Sequence, residues 1–332
     1  MGKAKVSVIV PCYNRISFIG SCLDSLIEQS YGIENLELVL IDDRSTDGTR
    51  EVINEYEKRF PESVLAVYLT ESSGGHVGMV RNIGLSYVGG EYITFVDSDD
   101  ICMPELVEKL VQAIEREDAD CAGCGAVLWN KGEILRRYEC PSKAFDMSVT
   151  TQRKVYLLTE GTKCSVWARL YRRDFIEREA ISFHKSLRKA EDVQFHFAAM
   201  AHANKIACIS DYLYLYRESE ESIVRRRNLP AYFMDTFYAA SEAVTEVEKT
   251  ERFPETEKEW EYLYYVRGVV ETIAVLYQYH MDESSRADHI KHILQKAREQ
   301  KPDLLQNEYV RSANDDLGKM MIQLMHKYGF DE

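Results

Sequence analysis

Along the first hundred residues the apolar positions alternate between two periods. Lys5–Val10 (KVSVIV), Leu36–Ile41 (LELVLI), Val64–Leu69 and Tyr92–Val96 are short apolar runs of the kind that fill buried strands. Between them, Ser17–Ser30, Thr49–Phe60 and Val77–Val88 read as helices. In the first, Phe18, Ile19, Cys22, Leu23, Leu26 and Ile27 lie at the three- and four-residue spacing of one helix face. Thr46 or Asp47 is the expected N-cap of the second. Strands apolar on both faces, alternating with helices, predict a parallel sheet covered on both sides.

Pro104 opens a further helix, to about Glu117. Asp120–Trp129 and Glu133–Tyr138 flank Asn130-Lys131-Gly132, a turn sequence, and predict a strand pair. Gln152–Thr159 and Glu191–Ala203 read as helices and Tyr212–Tyr216 as a strand. Beyond Arg227 the pattern is helical, near 230–250, 256–281, 284–299 and 313–328, with breaks at Phe253-Pro254 and Lys301-Pro302. A domain boundary is expected at 226–230, separating an α/β region, 1–227, from a helical C-terminal region, 228–332.

The 332 residues are 45% hydrophobic and 29% charged, the balance of a globular chain. The formal net charge of -14 repels polyanions, so no nucleic-acid partner is expected. An anionic substrate would need local cations. No run reaches the roughly 18–20 apolar residues of a membrane span. Met1–Val10 lacks the cleavage pattern of a secretory signal, so a cytoplasmic location is expected. Of the eight cysteines, Cys121 and Cys124 form one CxxC with no second pair. They read as buried strand cysteines ahead of a zinc or redox site.

In open parallel sheets, ligands bind beyond the carboxyl ends of the strands. Those ends carry Pro11-Cys-Tyr-Asn14, Asp42-Asp43, Ser72-Ser-Gly-Gly75 and Asp97-Ser-Asp-Asp100. Up to five carboxylates are thus expected in one crevice, a costly arrangement unless a cation or donors offset it. A hard divalent ion suits oxygen ligands and takes one or two carboxylates, completing its shell with water and phosphate. Asp97 and Asp99 therefore read as a metal–diphosphate site. Taken alone, they read equally as a polar loop capping the next helix. Gly74 and Gly75, ahead of a helix carrying Arg81 and Asn82, would let backbone approach an anion. Neither GxGxxG after the first strand nor a phosphate loop ending Gly-Lys-Ser/Thr is present, which argues against a dinucleotide dehydrogenase or a P-loop NTPase.

The motifs VSVIVPCYNR, VLIDDRSTDGT, GGHVGMVRNIGL, EYITFVDSDD and AEDVQF, in that order across residues 4–225, resemble the family 2 glycosyltransferases. VWARLYRRDFI, Val166 to Ile176, is similar to that family too. The resemblance implies an α/β GT-A fold: a mostly parallel nucleotide-binding sheet flanked by helices, with a C-terminal helical appendage. Residues 1–103 would form the nucleotide-binding half and 104–227 the acceptor half. It also implies roles. Pro11 and Tyr13 would line the nucleotide base, and Asp43 would accept from the uracil ring N–H. Asn14, Arg81 and Ser98 would lie beside the nucleotide-sugar. Asp97 and Asp99 would form the DxD motif, Asp99 touching Mn²⁺ or Mg²⁺ directly. Asp192, next to Glu191, would be the catalytic base. Trp167 would shape the acceptor pocket or belong to the core. Arg225, with Arg226 and Arg227, would close on the diphosphate, form a solvated patch or touch anionic lipid.

The implied reaction is inverting, non-processive transfer from a nucleotide-sugar, a UDP-sugar by Asp43, to an acceptor hydroxyl. The QxxRW motif of processive synthases is absent. A lipid-linked glycan in surface-polysaccharide synthesis, at the inner face of the cell membrane, is the implied acceptor setting. The rival reading is a non-catalytic nucleotide-sugar-binding module on the same fold. The aromatics of the C-terminal helices, Trp260, Tyr262, Tyr264 and Tyr265, fit internal packing, a homodimer interface or a platform for a lipid-linked acceptor equally.

Overall fold

The computed structural model describes residues 5–156, 165–218, 233–250, 252, 259–278, 280–312 and 316–330. By contacts the chain divides into two compact units. Met1–Ser186 and His202–Ser219 form the first; Leu187–Ala201 and Glu220–Glu332 form the second. The helix that begins at Glu191 is thus grouped with the C-terminal helices, whereas the sequence reading kept it with the α/β region. The expected boundary at 226–230 lies outside the described residues.

In the first unit, β1 (Val6–Cys12), α1 (Ile19–Ile27), β2 (Leu36–Asp42), α2 (Thr49–Arg59), β3 (Val64–Tyr68), α3 (Val77–Leu85) and β4 (Tyr92–Phe95) follow the predicted alternation. Their strands stand in the order β3-β2-β1-β4, all parallel. Every residue of β1 is buried. Pro11 has no N–H to give β4, and the β1–β4 ladder ends before it, its last rung being Ile9↔Phe95. The two strands part where the candidate chemistry begins.

The rest of the sheet is mixed. β5 (Ile101–Cys102), α4 (Leu106–Glu117), β6 (Cys121–Asn130), β7 (Glu133–Tyr138), β8 (Lys143–Asp146), α5 (Thr150–Val155), β9 (Arg169–Arg172), α6 (Arg173–Arg178) and β10 (Lys205–Arg217) complete the unit. β9 runs antiparallel between β4 and β6, while β10 pairs parallel with β6 and antiparallel with β5. β5, β8 and β9 are too short to show a period in sequence. The register of β10 shifts between Cys208 and Tyr214, which breaks its alternation and leaves only its last third legible. The expected helix Gln152–Thr159 is seen as α5; 157–159 lie outside the described residues.

The cap of α2 differs in detail from both expected residues. Gly48 occupies the N-cap position with φ 100°. Asp47 instead accepts from Thr49 N at 3.0 Å and Thr49 Oγ1 at 2.6 Å. The left-handed turn at Gly48 lets Asp47 cap from one residue further out. Cys121 and Cys124 lie on β6 with free thiols, and burial pushes Cys121 up to about 12. Among the described residues no group of three or more His, Cys, Asp or Glu could hold a metal.

The second unit contains most of α7 (Glu191–His202), with α8 (Phe233–Lys249), α9 (Glu259–Leu276), α10 (Glu283–Gln300), α11 (Glu308–Ser312) and α12 (Asp316–Lys327). Its core joins Phe237 and Val244 of α8, Tyr265, Val269 and Ile273 of α9, Ile290 and Leu294 of α10, and Met321 of α12. Tyr262 and Tyr265 are buried, and the Tyr264 ring lies 4.1 Å from that of Phe197 on α7. These aromatics of α9 pack internally. No described helix is long and apolar enough to cross a membrane.

Candidate active site

The loop after β1 turns at Asn14, whose φ of 49° is left-handed. Asn tolerates that conformation better than most residues. Its Oδ1 accepts from Thr46 N at 2.8 Å, and its N–H donates to Ser45 Oγ at 3.0 Å. Asn14 thus ties the end of β1 to the loop after β2. Pro11 is buried, and the Tyr13 ring beside it is 49% exposed, an open apolar face.

The five acids separate by partner. Asp42 is fully buried and receives Arg50 Nε and a terminal nitrogen at 2.9 and 2.8 Å. Asp43 accepts from Ser73 N and Ser73 Oγ, each at 2.6 Å, one per oxygen. Asp97 pairs with Arg81 at 2.6 Å; Arg81 is 4% exposed and its guanidinium stands 5.4 Å from the Phe183 ring centre. Asp99 pairs with Arg15 Nε at 3.2 Å. Asp100 is fully buried, accepting from Tyr214 Oη at 2.6 Å and Arg217 N at 2.7 Å.

Asp97, Asp99 and Asp100 nevertheless feel one another's charge. Like charges in a low-dielectric site are stable only when each is met, and here each acid has its own donor. Asp97 and Asp99 stay partly accessible, with side chains 27% and 17% exposed. Burial raises Asp99 above its ordinary value, the Asp97 charge adds to this, and Arg15 opposes it. That residual cost is what a bound cation offsets, so the pair fits a divalent ion that takes most of its shell from water and phosphate. The arginines can also exchange a carboxylate for phosphate oxygens without losing their geometry.

Ser98, between Asp97 and Asp99, is buried at 5% exposure. Trp167, partly exposed, stacks on Tyr214 at 5.1 Å and on Tyr216 at 5.3 Å, with the Tyr138 ring edge-on at 6.0 Å. It is packed on one side and reachable on another. Glu191 and Asp192 lie in the first turn of α7, in the second unit; Glu191 is buried. Asp192 is half-buried, and its Oδ1 accepts from Val193 N at 2.9 Å. Arg225 lies outside the described residues. The structure thus joins Asp97 and Arg81 in one contact and seats Asp99 two residues on. The contacts that Arg15, Ser73, Tyr214 and Arg217 make with these acids were not expected. Arg15 and Ser73 stand inside segments already singled out, but nothing in the sequence marks their acid partners.

The Glycosyl transferase family 2 model matches residues 7–179. The glycosyltransferase EpsJ of Bacillus subtilis is 30% identical over 230 residues, 68% of this chain and 64% of that protein. The poly(ribitol-phosphate) beta-glucosyltransferase of Bacillus spizizenii is 30% identical over 258 residues, 76% of this chain and 38% of that protein. The matched chain spans less than two thirds of each of these relatives. Among solved structures, Staphylococcus aureus TarS 1–349 in complex with UDP superposes with a TM-score of 0.77 at 23% identity, covering 98% of this chain and 88% of that one. That likeness is one of fold, and the fold is GT-A. With more than half of its length, from β1 through α6, inside the family match, this chain belongs to glycosyl transferase family 2.

Proposed function

We propose that the chain transfers a sugar from a UDP-sugar to a hydroxyl of an acceptor glycan, one residue or a few at a time, with inversion. The observation that carries this reading is the Asp97–Asp99 pair at the end of β4, braced by Arg81 and Arg15. The TarS structure of the same fold is a complex with UDP, and relatives act on poly(ribitol-phosphate), which supports a UDP donor and a surface-polymer acceptor. A lipid-linked glycan at the inner face of the membrane extends the reading by resemblance. Residues 1–227 would carry the reaction and 228–332 would support it.

Tyr13 offers its face to the base. Each Asp43 oxygen holds one hydrogen bond from Ser73 and keeps a second lone pair for the uracil N–H. Arg81 moves from Asp97 onto the diphosphate. Asp97 and Asp99 would hold Mn²⁺ or Mg²⁺, which would offset the charge that grows on the leaving diphosphate. Asp192 accepts the proton of the incoming hydroxyl, for which it must come within about 2.6–3.2 Å in the reacting complex. A single base and a single displacement invert the anomeric carbon.

The test is release of nucleoside diphosphate from a panel of sugar nucleotides, with and without excess chelator, with the anomeric configuration of the product read by NMR. UDP release that stops with chelator is expected. Asp192→Ala should keep donor binding while turnover falls by about 10²–10⁴-fold, the usual contribution of a positioned base. Undiminished release in chelator removes the ion, and a product of retained configuration removes the single displacement.

A further inference from the structure

The turn that carries Asp97 and Asp99 is held from a strand more than a hundred residues away. Tyr214 Oη receives Asp97 N at 3.1 Å and donates to Asp100 Oδ2 at 2.6 Å. Arg217 N donates to the other Asp100 oxygen at 2.7 Å, and Arg217 Nε donates to the Asp99 carbonyl at 2.7 Å. The turn closes on itself through Asp100 N to Asp97 O at 3.0 Å. Immediately after it, β5 pairs with β10 through Ile101↔Leu215 and Cys102↔Tyr214. Both clamping side chains are themselves fixed. The Tyr214 ring stacks on Trp167, and the Arg217 guanidinium lies 4.6 Å from the Trp129 ring centre and 5.1 Å from that of Phe18.

Arg217 thus faces the backbone of the acidic turn. None of these contacts touches the carboxylates of Asp97 or Asp99. They fix the peptide units on either side of them, and so fix where those carboxylates point. Asp100, fully buried, is the hub: one carboxylate gathers Tyr214 and Arg217 and has no accessible atom left for a ligand. This separates the roles of the three acids. Asp97 and Asp99 face outward, and Asp100 is the inward anchor.

We propose that Tyr214 and Arg217, acting through Asp100 and the Asp99 carbonyl, are positioning residues that set the geometry in which Asp97 and Asp99 receive a divalent ion and a nucleoside diphosphate. The inference rests on the reading of those two acids as the donor site. A wobble of the turn would leave both carboxylates present but misaligned, and ion binding is sensitive to such second-layer support.

Tyr214→Phe deletes one oxygen and keeps the ring on Trp167. Arg217→Met keeps the aliphatic stem and deletes the bond to the Asp99 carbonyl. Free Mn²⁺ is counted by its electron paramagnetic resonance signal during titration of each protein with Mn²⁺ at saturating UDP, with thermal unfolding recorded alongside. Each variant should bind Mn²⁺ about tenfold more weakly than the parent, the scale of a lost second-layer contact. In turnover the concentration of Mn²⁺ for half-maximal rate should rise by the same factor. A variant with a lowered Tm and unchanged Mn²⁺ affinity would show a merely structural contact and overturn the inference. Should Tyr214→Phe fail to fold, Arg217→Met decides alone. A parent protein that binds no Mn²⁺ with UDP sinks the donor-site reading itself, and the clamp's purpose with it.

Discussion

Asp99 carries the conflict between stability and function at the scale of one residue. Its burial and its neighbour Asp97 both disfavour the charged form, and Arg15 only partly compensates. An acid whose folded-state pKa is raised holds its proton more tightly in the native than in the unfolded chain. Its ionisation therefore removes stability as pH rises from the ordinary carboxylate range through the raised value. Asp99→Asn should accordingly unfold at a temperature no lower than the parent at pH 7 without ligands, while losing Mn²⁺ binding. The difference in Tm should close as pH falls and the parent's own Asp99 becomes neutral. Melting curves from pH 7 down to pH 4 measure this; a variant less stable at pH 7 by the same margin as at pH 4 would remove the electrostatic account. Asp97 and Asp99 were legible in sequence because a strand followed by an acidic turn places them at a carboxyl end. Their partners were not. Arg15 lies 84 residues from Asp99 and Tyr214 lies 114 from Asp100, and only the assembled sheet brings them together.

At the scale of elements, the parallel half was readable because β1, β2 and β4 carry apolar residues on both faces and the helices between them keep a helical period. β9, with Arg-Leu-Tyr-Arg, was not, since four residues hold no period. The seating of α3 depends on Gly84. A Cβ there would stand 2.5 Å from Ile9 Cγ2, a stiff branched atom in a fully buried strand. Arg81 is three residues earlier on the same helix face and reaches Asp97 from that seat. Gly84→Ala gains about 1 kcal/mol of helix propensity but forces an overpacking cost of about 1–3 kcal/mol. The net effect expected in urea unfolding is destabilisation, with weaker UDP binding because Arg81 is pushed outward. Ile9→Ala should restore part of the loss in the double variant; strict additivity of the two costs would deny the contact.

The molecule as a whole joins a unit whose acids read as the donor site to a second unit carrying Asp192. The sequence marked Lys301-Pro302 only as a helix break. The structure makes Lys301 the ionic staple of the second unit's helices. It is 5% exposed, bonds Glu248 of α8 at 2.6 Å and the fully buried Glu261 of α9, and lies 4.9 Å from the Tyr262 ring centre. Burial alone would lower the Lys301 pKa, but the two carboxylates outweigh it and hold the ammonium above its ordinary value. A break residue between helices is normally exposed, so charge at that position gave no hint of burial. Lys301→Met takes the cation from a buried carboxylate, a loss of about 3–5 kcal/mol. Lys301→Met/Glu261→Leu removes both charges and should recover most of it. Because Asp192 is grouped with this unit and Asp97 and Asp99 with the other, Lys301→Met should lose turnover on warming before it loses UDP binding. Calorimetry with parallel turnover and UDP-binding assays follows both. Loss of UDP binding in step with turnover would show that the second unit does not fail on its own, and would remove the division of labour drawn from the contacts.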